Sequence, residues 1–252
     1  MNSGIYPAVS GSLAAMRKLD VISNNLANIN TPGYKKDKMT FEGLLAGNIT
    51  PPAVPQGMTA DPILQKENIY IDYSSGPTSQ SGNPLDLALD GDGFFAVTTP
   101  EGTAYTRQGN FRTSTDGTLV TMDGYPVQGI EKDNKGNGAP IKIKGNRVEI
   151  DNKGNVTVDD APSGTISVVD FNKPYTLVKS GTSLFVPSDP QAKPFPGKAQ
   201  VQQGYTEGSN VDSISEMVQM LETNRYFEAC SKVIKGFDDI AAKATNDLGR
   251  VG

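Results

Sequence analysis

Histidine and tryptophan are absent from this 252-residue sequence, and cysteine occurs once, as Cys230. Without histidine the chain cannot form a Ser-His-Asp or Cys-His nucleophile, nor a metal site with histidine ligands. A single thiol cannot close a disulfide within the chain or build a thiolate metal site. We therefore predict a protein that is not an enzyme and has no catalytic, cofactor-binding or metal residues, with Cys230 as a small apolar filler.

Clustered positive charge and long apolar runs are also missing. Lys and Arg number 23 against 28 Asp and Glu, a net charge of −5, whereas nucleic acid is bound through clustered Lys and Arg. No window approaches the roughly 20 apolar residues of a membrane span, and the first residues lack the apolar run of a cleaved secretory signal. We expect no nucleic-acid partner and no membrane span. Residence in the cytoplasm, or export by machinery that reads no cleaved signal, fits equally.

Proline is missing from two long stretches. None of the 17 prolines lies between Ala8 and Thr31, and none follows Pro196, so only the two ends can form long helices. The interior is rich in glycine and proline, which mark turns between short strands. We predict an α+β protein. Long N- and C-terminal helices form a coiled-coil-like α domain, and the middle of the chain forms an antiparallel, mainly β domain.

The same patterns divide the chain into four segments. From Lys35 to about Gln80 the apolar residues show no steady period and prolines interrupt the chain, over a length unusual for a simple loop. We predict an N-terminal helical half over 1–35, an extended linker or arm over 36–82, an antiparallel β domain over 83–204 and a C-terminal helical half over 205–252.

The N-terminal segment carries a heptad pattern, which keeps one stripe of a helix facing a partner helix. Its two rows are Ile5, Ser12, Leu19, Leu26 and Ala8, Ala15, Ile22, Ile29. Leu13, Met16 and Val21 fall outside these rows, so the helix offers apolar surface to more than one neighbour. Pro32 and Gly33 are expected to end the helix within Asn30–Gly33.

The C-terminal segment has the stronger heptad pattern. Its rows are Met220, Phe227, Ile234, Ala241, Leu248 and Thr223, Cys230, Phe237, Ala244. Ser213 and Glu216 have the spacing of a capping box, with Ser209 and Asp212 as a possible earlier start. The pattern predicts a helix of about 35 residues, or about 50 Å, whose nearest candidate partner is the N-terminal helix.

The interior predicts short antiparallel strands and no catalytic site. Leu85, Leu87 and Leu89 alternate with more polar residues, as in a half-buried strand. We predict a hairpin between residues 141–144 and 147–150, followed by a strand over 156–158. Gly91-Asp-Gly93 has the outline of a dinucleotide loop, but a strand rather than a helix is expected to follow it.

Four blocks closely resemble the bacterial flagellar rod and hook family. They are NNLANINTPGYK (24–35), PLDLALDGDGFFAV (84–97), YTRQGNF (105–111) and GSNV (208–211), and they occur in family order over nearly the whole chain. The run Arg225-Tyr226-Phe227-Glu228 is most similar to proximal-rod members, and distal-rod members are the runner-up.

The resemblance implies a structural subunit of the basal-body rod, which crosses the periplasm. It implies export by the flagellar type III apparatus, followed by polymerisation with itself and other rod subunits into a helical tube that transmits torque. The residues expected to carry assembly are Leu19, Ile22, Asn24, Asn25, Leu26, Asn28, Ile29, Met220, Phe227, Cys230, Ile234, Phe237 and Ala241. A distal-rod or hook-type axial protein, a carboxylate-based glycosidase using a pair such as Asp86 and Asp90, and a free-standing β-rich binding module remain alternatives.

Overall fold

The computed structural model describes residues 5–43, 65–132, 138–145, 147–189 and 191–248. Within them the chain divides into two compact units, with the helices in one and most of the strands in the other. The α unit takes its residues from 1–27, 37–72 and 212–252, and the β unit from 28–36 and 73–211. The predicted α+β class, with terminal helices around an antiparallel interior, is confirmed.

The α unit pairs helix α1 (Ile5–Ala27) with helix α2 (Ser213–Leu248). Near the end of α1, Asn25 bonds Glu216 in the first turn of α2, with 3.3 Å between Nδ2 and Oε2. Fourteen residues earlier, Gly11 lies so near Cys230 that a Cβ on the glycine would be 3.3 Å from the sulfur. The helices are therefore antiparallel, and α2, at about 54 Å, is longer than α1, at about 35 Å. Neither described helix combines the length and the apolar character needed to cross a membrane.

Small side chains on α1 allow the two helices to approach closely. The buried positions of α1 are Ala8, Gly11, Ala14, Ala15, Ile22 and Asn25. On α2, Glu216, Thr223 and Cys230 are buried at intervals of seven residues. Two members of the second predicted α2 row, Thr223 and Cys230, thus lie in the contact between the helices, and Cys230 is buried there beside Gly11.

Two predicted helix ends are displaced. Helix α1 stops at Ala27, before the expected boundary at residues 30–33, because Asn28 turns the chain: its carbonyl accepts the Thr31 N–H at 3.1 Å. Asn28 and Ile29 are therefore not helical. Helix α2 begins at Ser213, but Asp212 caps it, with 3.3 Å from the Ile214 nitrogen to Oδ1. The predicted capping box is wrong because the Glu216 carboxylate accepts from Asn25 instead.

The α unit also contains an antiparallel ribbon of β1 (Asp37–Gly43) and β2 (Gln65–Ile71). We expected no regular structure in this part of the chain, and that expectation is wrong for residues 37–43 and 65–71. Two segments far apart in the sequence stabilise each other by pairing, which no local period reveals. A salt bridge of 2.8 Å joins Lys38 in β1 to Asp72, the residue that follows β2. The hydrogen bond to Asp72 raises the pKa of Lys38. The rest of the predicted arm, residues 44–64, lies outside the described residues.

The β unit consists of short antiparallel strands. These are β3 (Thr78–Gln80), β4 (Leu87–Asp90), β5 (Phe94–Thr99), β6 (Gly102–Thr106), β7 (Arg112–Thr113), β8 (Leu119–Val120), β9 (Gln128–Lys132), β10 (Gly138–Pro140), β11 (Val148–Ile150), β12 (Asn155–Val158), β13 (Ala161–Thr165), β14 (Val168–Asp170), β15 (Leu177–Ser180), β16 (Leu184–Pro187), β17 (Phe195–Pro196), β18 (Gln200–Gln203) and β19 (Tyr205–Glu207). The largest sheet has the order β15-β16-β6-β5-β14-β17. The hydrophobic core of the β unit includes Leu87, Phe95, Val97, Leu119, Val127 and Ile166.

Two details of the predicted interior are wrong. In β4 the residues Leu87–Leu89 are all buried, so this strand is covered on both faces rather than half-buried. The expected hairpin of 141–144 with 147–150 does not form, because the Ile141 and Ile143 amides donate to Val127 and Gly117 instead. The strand predicted at 156–158 is confirmed, since β12 pairs with β11.

Phe95 is the position at which we expect the largest loss of β-unit stability. Its side chain is fully buried and packs edge-on against Phe111, with ring centroids 5.2 Å apart. Phe95→Ala is expected to lower the free energy of unfolding by about 3–5 kcal/mol. The control is Phe195→Ala, at a ring that is 39% exposed. Urea unfolding followed by tyrosine fluorescence measures both, and equal losses would contradict the assigned core.

Candidate assembly site

The family-like motif at residues 24–35 is divided between the two units. Its first part, through Ala27, belongs to the α unit, and its remainder belongs to the β unit. Each part includes one buried polar side chain, Asn25 in the α unit and Lys35 in the β unit. Each of these side chains holds together segments that are distant in the sequence.

Asn25 joins the end of α1 to β1 and to α2. Its Oδ1 accepts the Asp37 N–H at 3.0 Å, and its Nδ2 donates to the Asp37 carbonyl at 2.9 Å. The same Nδ2 lies 3.3 Å from Oε2 of the buried Glu216. The Asn25 side-chain amide thus makes the two hydrogen bonds that the backbone of a neighbouring strand would make with Asp37. Both groups of that backbone residue are satisfied, as buried polar groups require.

Gly33 fits where no other residue fits without rearrangement. Its φ is +69°, and a Cβ at this position would lie 2.3 Å from the backbone nitrogen of Gln108. Its N–H donates to the Glu207 carbonyl at 2.8 Å. Only glycine adopts this conformation readily and also allows so close a backbone approach.

Lys35 belongs to a buried triad with Glu207 and Arg107. The Lys35 ammonium is 2.6 Å from Oε1 of Glu207, and Arg107 Nη1 is 3.2 Å from Oε2. The three side chains are 0–3% exposed. The Gly76 N–H also donates to the carboxylate, at 3.0 Å, and Lys35 donates to the Ser74 carbonyl at 2.8 Å. The Glu207 carboxylate therefore pairs with two cations, and the three side chains together have a net charge of +1.

The other family-like blocks meet at the same place in the β unit. From the 84–97 block, the Gly91 carbonyl accepts Arg107 Nη2 at 2.6 Å. From the 208–211 block, Asn210 Oδ1 accepts the Lys36 N–H at 2.7 Å. Arg107 itself comes from the 105–111 block. Four blocks that are separated in sequence therefore converge around Glu207, a residue that the sequence analysis did not identify because its partners are distant in the chain.

The predicted assembly residues differ in how far their own chain covers them. Ile22, Asn25 and Cys230 are buried, whereas Asn24 and Ala241 are exposed. The remaining members are half-buried: Leu19, Leu26, Asn28, Ile29, Met220, Phe227, Ile234 and Phe237. Contacts of these residues with neighbouring subunits remain a prediction.

A different set of apolar residues is exposed on the two helices. The α1 outer stripe is Tyr6, Val9, Leu13 and Met16. The first α2 outer stripe is Ile214, Met217, Val218 and Leu221, and the second α2 outer stripe is Tyr226, Val233 and Ile240. Exposure in these stripes ranges from 41% at Val9 to 74% at Ile214. Each stripe follows a spacing of three, four or seven residues, a signal that was visible in the sequence at Leu13 and Met16.

The carboxylates considered for catalysis have structural contacts. Asp86 accepts from Asn83 Nδ2 at 3.1 Å, and Asp90 accepts from Gln202 Nε2 at 3.4 Å. The Gly91–Gly93 turn leads into strand β5, so it lacks the helix N-terminus that a dinucleotide loop needs. In the part of the chain that the structure describes, no group of three His, Cys, Asp or Glu side chains could hold a metal ion.

Asn25 and Asn24 allow a matched test of the contact at the end of α1. Asn25→Ala removes the two hydrogen bonds from the Asn25 amide to the Asp37 backbone and should lower the free energy of unfolding of the α unit by about 2 kcal/mol. Asn24→Ala, at an exposed side chain, should cost clearly less. Thermal unfolding followed by circular dichroism at 222 nm measures both changes. Equal costs would contradict the role given to Asn25.

Three profiles of flagellar proteins match this chain in order. The profile described as "Flagella basal body rod protein" matches residues 5–35. "Flagellar hook protein FlgE/F/G D1 domain" matches residues 88–158. "Flagellar basal body rod FlgEFG protein C-terminal" matches residues 202–248. The matches cover α1, much of the β unit and α2.

Curated relatives align with the chain over its whole length. Flagellar basal-body rod protein FlgG of Bacillus subtilis is 36% identical, with 98% of this chain and 99% of the relative covered. Flagellar basal-body rod protein FlgF of Mesorhizobium japonicum is 29% identical, and that of Caulobacter vibrioides is also 29% identical, with at least 99% of each chain covered. The resemblance inferred from the four blocks is therefore confirmed, and the chain belongs to the flagellar basal-body rod protein family.

Proposed function

We propose that this protein is a structural subunit of the flagellar rod, and that it polymerises through the outer stripes of α1 and α2. The observation that carries the proposal is the exposure of large apolar side chains in continuous rows on both helices. Contiguous exposed apolar surface on a soluble protein marks a site of association. Burial of these rows between subunits would give a stiff shaft able to transmit torque.

The positions of the stripes favour more than one neighbour for each subunit. At about 100° per residue, the second α2 outer stripe lies roughly 120° around the helix from the first. The second α2 outer stripe borders the face that meets α1, since the Tyr226 hydroxyl oxygen would lie 2.7 Å from a Cβ on Gly11. The first α2 outer stripe lies on a separate side of the helix. Contacts between different faces of identical subunits produce open helical assemblies when the rotation does not close, which is the geometry of a rod.

The family assignment also supports a route and a set of partners. We infer that the chain is exported through the flagellar type III apparatus and joins other rod subunits as well as copies of itself. The basal body is then its site of action. Cys230 is a free cysteine, and a chain with one cysteine forms no internal disulfide. This is compatible with passage of an unfolded chain through a channel.

Within the rod, we propose that this chain takes the proximal position and corresponds to the FlgF relatives. Alignments with three FlgF relatives span 251–257 positions, close to the length of this chain. Alignments with FlgG relatives from Bacillus subtilis and Caulobacter vibrioides span 267 positions, although their identities, 36% and 34%, are higher. Length and Tyr226-Phe227 favour FlgF, whereas identity favours FlgG.

Complementation separates the two positions. The gene for this chain is expressed in strains of its own genus that lack either FlgF or FlgG, and swimming and isolated basal bodies are examined. We expect rescue in the strain without FlgF and none in the strain without FlgG. Rescue of the second strain alone would assign the chain to the distal rod.

Three consecutive residues of α2 test assembly through the stripes. Lys232 and Val233 are exposed, Val233 lies in the second α2 outer stripe, and Ile234 is half-buried on the side that faces α1. Val233→Asp should leave the monomer folded but block rod formation, because an unpaired charge in a dry interface costs several kcal/mol per copy. Lys232→Asp changes the charge more and should assemble, since the residue stays solvated.

Ile234→Asp is the third arm and should instead weaken the pairing of α1 with α2 within one chain. Circular dichroism of the monomers and isolation of basal bodies distinguish the three outcomes. If Val233→Asp formed rods as readily as Lys232→Asp, the second α2 outer stripe would not be an interface.

A further inference from the structure

We propose that the β unit contains a binding site for residues 28–36 of its own chain, and that Lys35 fixes the docked register of this segment without adding to the net stability of the β-unit core. The proposal rests on contacts within the β unit. It therefore goes beyond the proposed function and does not depend on rod formation. In it, the second half of the motif is recognised by its own chain rather than by a partner subunit.

The site makes a specific contact with each residue from Gly33 to Lys36. Gly33 lies against the Gln108 backbone, where there is no room for a side chain. Tyr34 is buried, and the Lys179 ammonium lies 4.2 Å from the centre of its ring. The Lys35 ammonium reaches Glu207, and the Lys36 N–H donates to Asn210. The segment is therefore held by a series of contacts with different requirements.

The charges of the triad argue against a role in net stability. Burial of charged groups costs several kcal/mol for each ion, and removal of one partner of a buried pair is costly when it leaves the other charge unpaired. Without Lys35, the Glu207 carboxylate would still have Arg107 and the Gly76 N–H. Replacement of Lys35 by methionine therefore removes one buried cation and leaves an Arg107–Glu207 pair.

Register is the property that Lys35 and Gly33 can specify together. A shift of the segment by one residue would place either Tyr34 or Pro32 at the Gln108 backbone, and both have a Cβ. The same shift would move the Lys35 ammonium away from the Glu207 carboxylate and the Ser74 carbonyl, to which it donates. Only the observed register satisfies the steric and the ionic requirement at once, and buried polar groups have such a role in other proteins.

Hydrogen exchange of the full-length monomer, read by mass spectrometry, tests this site. We expect Lys35→Met to speed amide exchange in residues 33–36 by about tenfold, while exchange in β5 stays as in the unsubstituted protein. Lys36→Met is the matched control, because the Lys36 side chain is only half-buried and its contact with Asn210 comes from the backbone. It should change neither region.

A second variant, Gly33→Ala, removes the fit without changing any charge and should show the same selective loss of protection. The proposal is overturned if Lys35→Met leaves residues 33–36 as protected as before. It is also overturned if Lys35→Met unfolds the β unit or speeds exchange in β5 as much as in residues 33–36, since Lys35 would then be a net stabiliser of the core. None of these readouts depends on rod assembly, so failure here leaves the proposed function standing.

Discussion

The two terminal helices have more apolar surface than one chain buries, and this excess is the constraint on which the account depends. Helix α1 uses its small residues, such as Gly11 and Ala15, to approach α2 closely. Its larger residues Leu13 and Met16 are left exposed. In a self-sufficient helical pair the larger side chains would face inward, because burial of a large apolar side chain contributes about 1.5–3 kcal/mol. The arrangement therefore leaves the apolar surface of Leu13 and Met16 available for the contacts with neighbours proposed above.

Polar contacts hold the described segments of each unit in register. Asn25 ties three segments of the α unit through one amide, and Glu207 ties two of the family-like blocks, at Lys35 and Arg107, through one carboxylate. Both side chains are buried, so removal of either costs its partners hydrogen bonds that water does not replace. Because apolar contacts are non-directional, such polar contacts are what can fix one arrangement among several of similar burial.

Features that depend on local sequence could be predicted, whereas those that depend on distant partners could not. The absence of proline predicted both helices, and heptad spacing identified Thr223 and Cys230 as positions that face a partner helix. The same spacing could not decide whether a row faces the chain's own helix or a neighbour, since both are apolar. The β1–β2 ribbon was missed because its strands pair across residues 44–64. The Lys35–Glu207 pair was missed because its partners are 172 residues apart.

Thiol labelling of the monomer and of the assembled rod would test most directly whether the outer stripes are buried between subunits. In a Cys230→Ala background, a single cysteine is introduced as Val233→Cys or as Lys232→Cys, and its reaction with a maleimide is measured in purified monomer and in isolated basal bodies. The account predicts that both cysteines react in the monomer and that only the one at position 233 is protected in basal bodies. Equal labelling of both cysteines in basal bodies would contradict it.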